Sequence, residues 1–225
     1  MDDKNLKEGT HTIIRVSPKL LTTTIAKMNN VQRAWLVETG FKHLLKFSLM
    51  TAPHELAYRI IMAYDIENEC LNLDEKKIHV TETDVNRVLG LPMGEEPMKF
   101  YKGSRVPKSW KAQFGRITPS RIKATDISLK LNKDETASWN FKRNFLVMLG
   151  NTIISPPKDA YAEKELARFQ GDLDKLYNYN RCSYTIFKLK NAVQVWRAKP
   201  SISFTGPLLL IVVSISNFHY CTNSF

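Results

Sequence analysis

Long apolar runs are missing from this sequence. The longest, LLLIVV at residues 208–213, holds six residues, where a membrane-spanning helix needs roughly 20 mainly apolar positions. No membrane is expected as a partner, and a core helix is the reading of that run. Cysteine is scarce and odd in number: Cys70, Cys182 and Cys221 stand far apart with no C-x-x-C among them. A disulfide framework is therefore not signalled, and reduced thiols in an intracellular protein are expected. The five histidines include no H-x-x-x-H pair and none next to a cysteine, which argues against a zinc site or a metalloprotease helix. The opening MDDKNLKEGTHT has neither an apolar stretch nor an Arg-rich character, so residues 1–14 read as a loose tail rather than a secretory or transit signal.

Acid is the scarcer charge, with 22 Asp and Glu against 33 Lys and Arg and a net charge of +11 over 225 residues. Apolar content of 43% with 24% charged residues is ordinary for a globular chain, and one folded domain is expected over 15–216. The surplus is concentrated. Residues 99–143 hold twelve Lys or Arg against three acids, which accounts for nine of the eleven net positive charges. Such a segment can neutralise phosphates and release counterions, and Phe100, Tyr101, Trp110 and Phe114 lie among its cations as a stacking platform for single strands would require. The candidate nucleic-acid contacts are Lys99, Lys102, Arg105, Lys108, Trp110, Lys111, Arg116, Arg121 and Lys123. The alternative is a solvated basic surface whose aromatics pin the segment onto the core. Four prolines and three glycines between 92 and 119 mark this stretch as an irregular connection.

Periodicity supplies the elements. VQRAWLVET at 31–39 reads as a short helix stopped by Gly40, and PHELAYRIIMAYD from Pro53 as an amphipathic helix with Leu56, Ile60, Ile61 and Tyr64 on one face. Alternation in CLNL (70–73) and IHV (78–80) about the turn DEKK predicts a β-hairpin. In KIHVTETDVNRVLGLP (77–92), Thr81 and Asp84 are spaced as a helix capping box, and Gly90 then Pro92 end the helix. His79, Glu82 and Asp84 could also be cast as a base with carboxylates, but capping already accounts for Thr81 and Asp84. Helices are expected at 120–131 and 134–153, the second nearly apolar on all faces and central. Residues 160–179 are helical in character with a break near Gly171. Cys182, Ile186, Leu189, Val193 and Trp196 alternate steps of four and three, a buried seam in which Cys182 is core filler rather than nucleophile. Thr205-Gly206-Pro207 begins a last apolar helix.

In this order, RVSP (15–18), ETGFKHLL (38–45), IHVTETDVNRVLGLP (78–92), FKRNFLVMLGNTIISPP (141–157), DLDKLYNYNRCSY (172–184) and FTGPLLL (204–210) resemble the plant mobile domain family. That family is also labelled aminotransferase-like, and occurs in transposon-derived proteins. The resemblance covers about 15–216 and departs from the family pattern at Arg181, where tryptophan is usual. It departs again after FTGPLLL, where NFHYCTNSF (217–225) reads as a divergent, truncated end. It implies a nuclear protein of transposon ancestry, related to factors in transposon silencing and genome maintenance, and carries no catalytic residue over. No Schiff-base lysine with a pyridine-nitrogen carboxylate and phosphate loop is identifiable, so no cofactor is expected.

The resulting expectation is a mainly α, single helical domain with a small β-hairpin, acting as a non-enzymatic nuclear interaction module whose protein partner is unidentified. The alternatives are a domain that binds DNA or RNA through residues 99–143, and the non-catalytic portion of a transposon-encoded ubiquitin-like-protein-specific cysteine protease.

Overall fold

The computed structural model of the chain describes residues 18–50, 54–73, 76–103 and 105–210, with side chains at 54–57 excepted. The architecture is mainly α with one small antiparallel sheet. Helix α1 (Pro18–Ala26) is additional to the expected helices, and opens on a proline whose fixed φ suits a first turn. Helix α2 (Asn30–Glu38) begins at a reciprocal cap. The Gln32 N–H donates to Asn29 Oδ1 at 3.0 Å, and the Asn29 N–H to Gln32 Oε1 at 3.1 Å.

Helix α3 (His54–Ala63) stops one residue short of Tyr64, which the helical pattern includes. Tyr64 instead begins strand β1 (Tyr64–Asp65) and pairs with Leu71. The expected hairpin is therefore two-thirds of a three-stranded sheet, β1 against β2 (Cys70–Leu73) against β3 (Lys76–His79). Lys76 and Lys77, expected in the turn, belong to β3 opposite Leu73 and Asn72, while residues 74 and 75 lie outside the described residues. Helix α4 (Glu82–Leu89) has the predicted capping box: Thr81 Oγ1 accepts from the Asp84 N–H at 3.3 Å, and Asp84 Oδ2 accepts from the Thr81 N–H at 3.0 Å. Gly90, at φ +64°, supplies the left-handed residue that ends it.

Between α4 and the next long helix lie strand β4 (Glu96–Pro97) and the single-turn helix α5 (Lys108–Ala112). Helix α6 (Ala124–Lys133) starts later than expected because Pro119–Arg121 forms a 3-10 turn and Asp126 Oδ2 takes the Lys123 N–H at 2.8 Å. Helix α7 (Trp139–Leu149) also starts late. Asp134 Oδ1 accepts from the N–H of Thr136 at 3.0 Å, bending the chain before Ser138 caps the helix through the Phe141 N–H at 3.2 Å. A π-turn, Gly150–Ile154, then extends α7 to the region of Pro156 and Pro157.

Residues 160–179 correct the expectation of helix. The chain there is extended, with 3-10 turns at Leu166–Arg168 and Leu176–Asn178. Tertiary pairing overrides local propensity: Asn151 Oδ1 accepts from the Glu163 N–H at 2.7 Å and its Nδ2 donates to the Glu163 carbonyl at 2.8 Å. Phe169 forms a bridge with Phe100. Strand β5 (Tyr179–Asn180) pairs in parallel with β4, and Gly94 lets the two meet, since a Cβ there would sit 2.1 Å from the Asn178 backbone. Helix α8 (Arg181–Ala198) buries Cys182, Ile186, Leu189, Val193 and Trp196, the predicted seam. Residues 208–210 are helical and buried. The continuation of that helix and the divergent end lie outside the described residues.

Helix α7 is the core of the molecule. Trp35 meets Phe141 and Phe145 edge-on at 5.7 and 5.6 Å, and Phe41 meets Phe145 at 5.4 Å. Each such pair adds about 0.5–1.5 kcal/mol beyond the burial of its rings.

Candidate functional site

The described part of the segment 99–123 is held in place by apolar side chains that fasten it to α7 and to residues 161–170. Trp110 is fully buried, and its Nε1–H donates to Asn144 Oδ1 at 2.8 Å. Phe114 packs edge-on against that indole at 5.0 Å. Ahead of them, the Tyr101 N–H donates to the Arg168 carbonyl at 2.9 Å and the Gln170 N–H to the Lys99 carbonyl at 2.8 Å. Behind them, the Ala162 N–H reaches the Ile122 carbonyl at 2.8 Å. This corrects the placing of Trp110 among the contacts: its ring is spent on the core and cannot stack on a base. Of the four aromatics considered, Tyr101 is the exposed one.

The eight cations themselves are all exposed: Lys99, Lys102, Arg105, Lys108, Lys111, Arg116, Arg121 and Lys123. None has an ion pair among the described residues. Lys108 and Lys111 share the turn of α5, while the others are distributed along the connection. None lines the grooves described below. Two further cations of the basic region do structural work. Lys142 pairs with Asp174 at 2.6 Å. Arg143 is buried, donates Nη1 to the carbonyls of Ala167 and Phe169 at 2.7 and 2.9 Å, and lies 4.5 Å from the centroid of Trp139.

Of the groups cast as an alternative catalytic constellation, His79 is exposed on β3 opposite Cys70, and the two carboxylates have other roles. Asp84 serves the α4 cap and an ion pair with Arg87 at 2.7 Å. Glu82 accepts from Asn180 Nδ2 at 2.7 Å. Cys182 is fully buried, and its Sγ lies 3.3 Å from the Leu91 carbonyl. Burial first, then the neighbouring Glu82 charge, pushes its thiol up to about 12, so the thiolate needed for attack is suppressed at neutral pH. Among the described residues, no group of three His, Cys, Asp or Glu could hold a metal ion, and no helix is long and apolar enough to cross a membrane.

A surface that the periodicity reading passed over lies along α8. Its buried seam leaves Ser183, Phe187, Asn191 and Gln194 outward, and Phe187 is 55% exposed. Phe187 stands between two open grooves. One, of about 730 Å³, runs between α8 and the β1–β2 turn and is lined by Ile66, Glu67, Glu69, Glu82 and Lys190 among others. The other, of about 530 Å³, lies toward β4 and includes Glu95, Met98 and Tyr184. The sequence signal was present, a phenylalanine off the apolar stripe of a long helix, but each groove is closed by residues more than 80 positions earlier in the chain, 66–82 in one and 95–100 in the other.

The model of a family described as a domain of unknown function (DUF8566) matches residues 14–212. No curated protein and no solved structure matches the chain.

Proposed function

The chain belongs to the DUF8566 family, and we propose that it acts as a non-enzymatic interaction module in the nucleus, of transposon-derived type. The observation that carries this reading is the α8 face. A large aromatic side chain left 55% exposed on an ordered helix, with a groove on either side, is the form taken by an anchor residue at a protein contact. The nuclear and transposon-derived part is supported by the resemblance of runs such as IHVTETDVNRVLGLP and FTGPLLL to the plant mobile domain.

A second reading, binding of DNA or RNA, is favoured by one specific observation: eight exposed cations between 99 and 123 without an ion pair among the described residues. Phosphate contacts release counterions, so the two readings differ in salt dependence. Fluorescence anisotropy of labelled single- and double-stranded DNA is measured over a salt series, with wild type and a variant carrying Lys102→Glu, Arg105→Glu, Lys108→Glu and Lys111→Glu. Under the interaction-module reading neither protein binds at moderate salt. Binding with a steep salt slope that the variant loses makes the nucleic-acid reading the first.

A further inference from the structure

We propose that the α8 face docks a lysine- or arginine-rich peptide carrying at least one apolar side chain, an assignment that rests on the interaction-module reading and gives its partner a chemistry. The argument is one of charge and shape together. The two grooves meeting at Phe187 contain Glu67, Glu69, Glu82, Glu95 and Glu165. Of the cations beside them, Lys190 is already held by Glu69 at 2.7 Å and Lys188 by Glu165. Glu67, Glu82 and Glu95 have no cation of their own among the described residues. In a chain of net charge +11, this is a place where the surface sign is reversed.

Shape agrees with charge. Ser183, Phe187, Asn191 and Gln194 follow at steps of four, four and three, so they form one neutral stripe along α8. A peptide lying on that stripe would set an apolar side chain against Phe187 and its cations against the glutamates on either side. Complementary charge of this kind steers encounter and selects the partner, while the buried aromatic contact holds it.

The chain's own segments do not supply such a peptide. Residues 1–17 carry three Lys or Arg and three acids, and residues 211–225 carry no charged side chain. The basic segment 99–123 is fastened at intervals by Phe100, Trp110, Phe114 and Ile122, so it presents no free strand. The occupant proposed is a basic peptide outside residues 1–225.

The test uses the full chain and two labelled peptides of about a dozen residues, one alternating Lys with Leu and one alternating Glu with Leu. Binding is read by anisotropy for wild type, Phe187→Ser and the pair Glu67→Lys with Glu95→Lys, all exposed positions, with circular dichroism confirming that each variant is folded. The Lys/Leu peptide is expected to bind wild type and to lose about tenfold or more in affinity to each variant. Phe187-dependent binding of the Glu/Leu peptide instead would overturn the basic partner and leave the module reading standing. Peptide binding unchanged in Phe187→Ser would overturn both, and no peptide binding would overturn the basic partner. A dimer in sedimentation that Phe187→Ser abolishes would assign the face to a second copy and overturn the proposal.

Discussion

Arg181 is a buried charge in the described structure. It is 1% exposed, lies between the rings of Phe41 and Phe169 at 5.1 and 5.7 Å, and has Nε and Nη2 buried without a partner. Burial draws its pKa down to about 9, the mark of a charge held where water cannot reach it. Two cation–π contacts and a hydrogen bond from Nη1 to the Leu176 carbonyl offset part of that cost. An unbranched apolar side chain of similar volume would keep the packing and remove the buried charge, and the Leu176 carbonyl would keep the Tyr179 N–H as its donor. Arg181→Met is therefore expected to stabilise the fold by about 1–4 kcal/mol, read as a higher urea midpoint at neutral pH. A lower midpoint would show that the two ring contacts outweigh desolvation. Arg181→Ala, which leaves a cavity, is expected to lower it.

At the scale of elements, the α4 cap has the smallest number of parts and the clearest consequence. Thr81→Ala removes the hydroxyl that accepts the Asp84 N–H, so a loss of about 1 kcal/mol in unfolding free energy is expected by chemical denaturation. Thr81→Ser is expected to retain most of it. That cap was legible because all its parts fall within four residues, and the α8 seam was legible because eighteen helical residues repeat one pattern. The misread stretches share a different cause. Residues 160–179 have helical composition, yet their backbone partners are Asn151 and Phe100, distant in sequence. Tyr64 fits the α3 face, and the pairing with Leu71 that claims it for β1 leaves no local trace. The same limit applied at the sites. The eight surface cations could be named from charge alone, whereas the burial of Trp110 depended on Asn144, thirty-four residues further on.

Over the whole molecule, the surplus of positive charge is concentrated rather than spread, and its segment begins at Lys99, a few residues after Glu95 and Glu96. Eight exposed cations without ion pairs among the described residues repel one another, and salt screens that repulsion beyond the Debye length, about 10 Å at 0.1 M. Folding gathers them onto one ordered segment, so their repulsion opposes the folded state most strongly at low ionic strength. The melting temperature of wild type is therefore expected to rise as sodium chloride is raised from about 10 mM to about 150 mM, the range over which screening sets in. Reversing Lys102, Arg105, Lys108 and Lys111 to Glu removes two charges at each position and takes the net charge from +11 to +3. That variant is expected to melt higher than wild type at low salt and to respond less to added salt. A wild-type melting temperature that falls with salt would mean that attraction between the basic segment and the glutamates around α8 outweighs repulsion within the segment. The basic surface would then be partly neutralised within the molecule, and less of its charge would remain for an anionic partner.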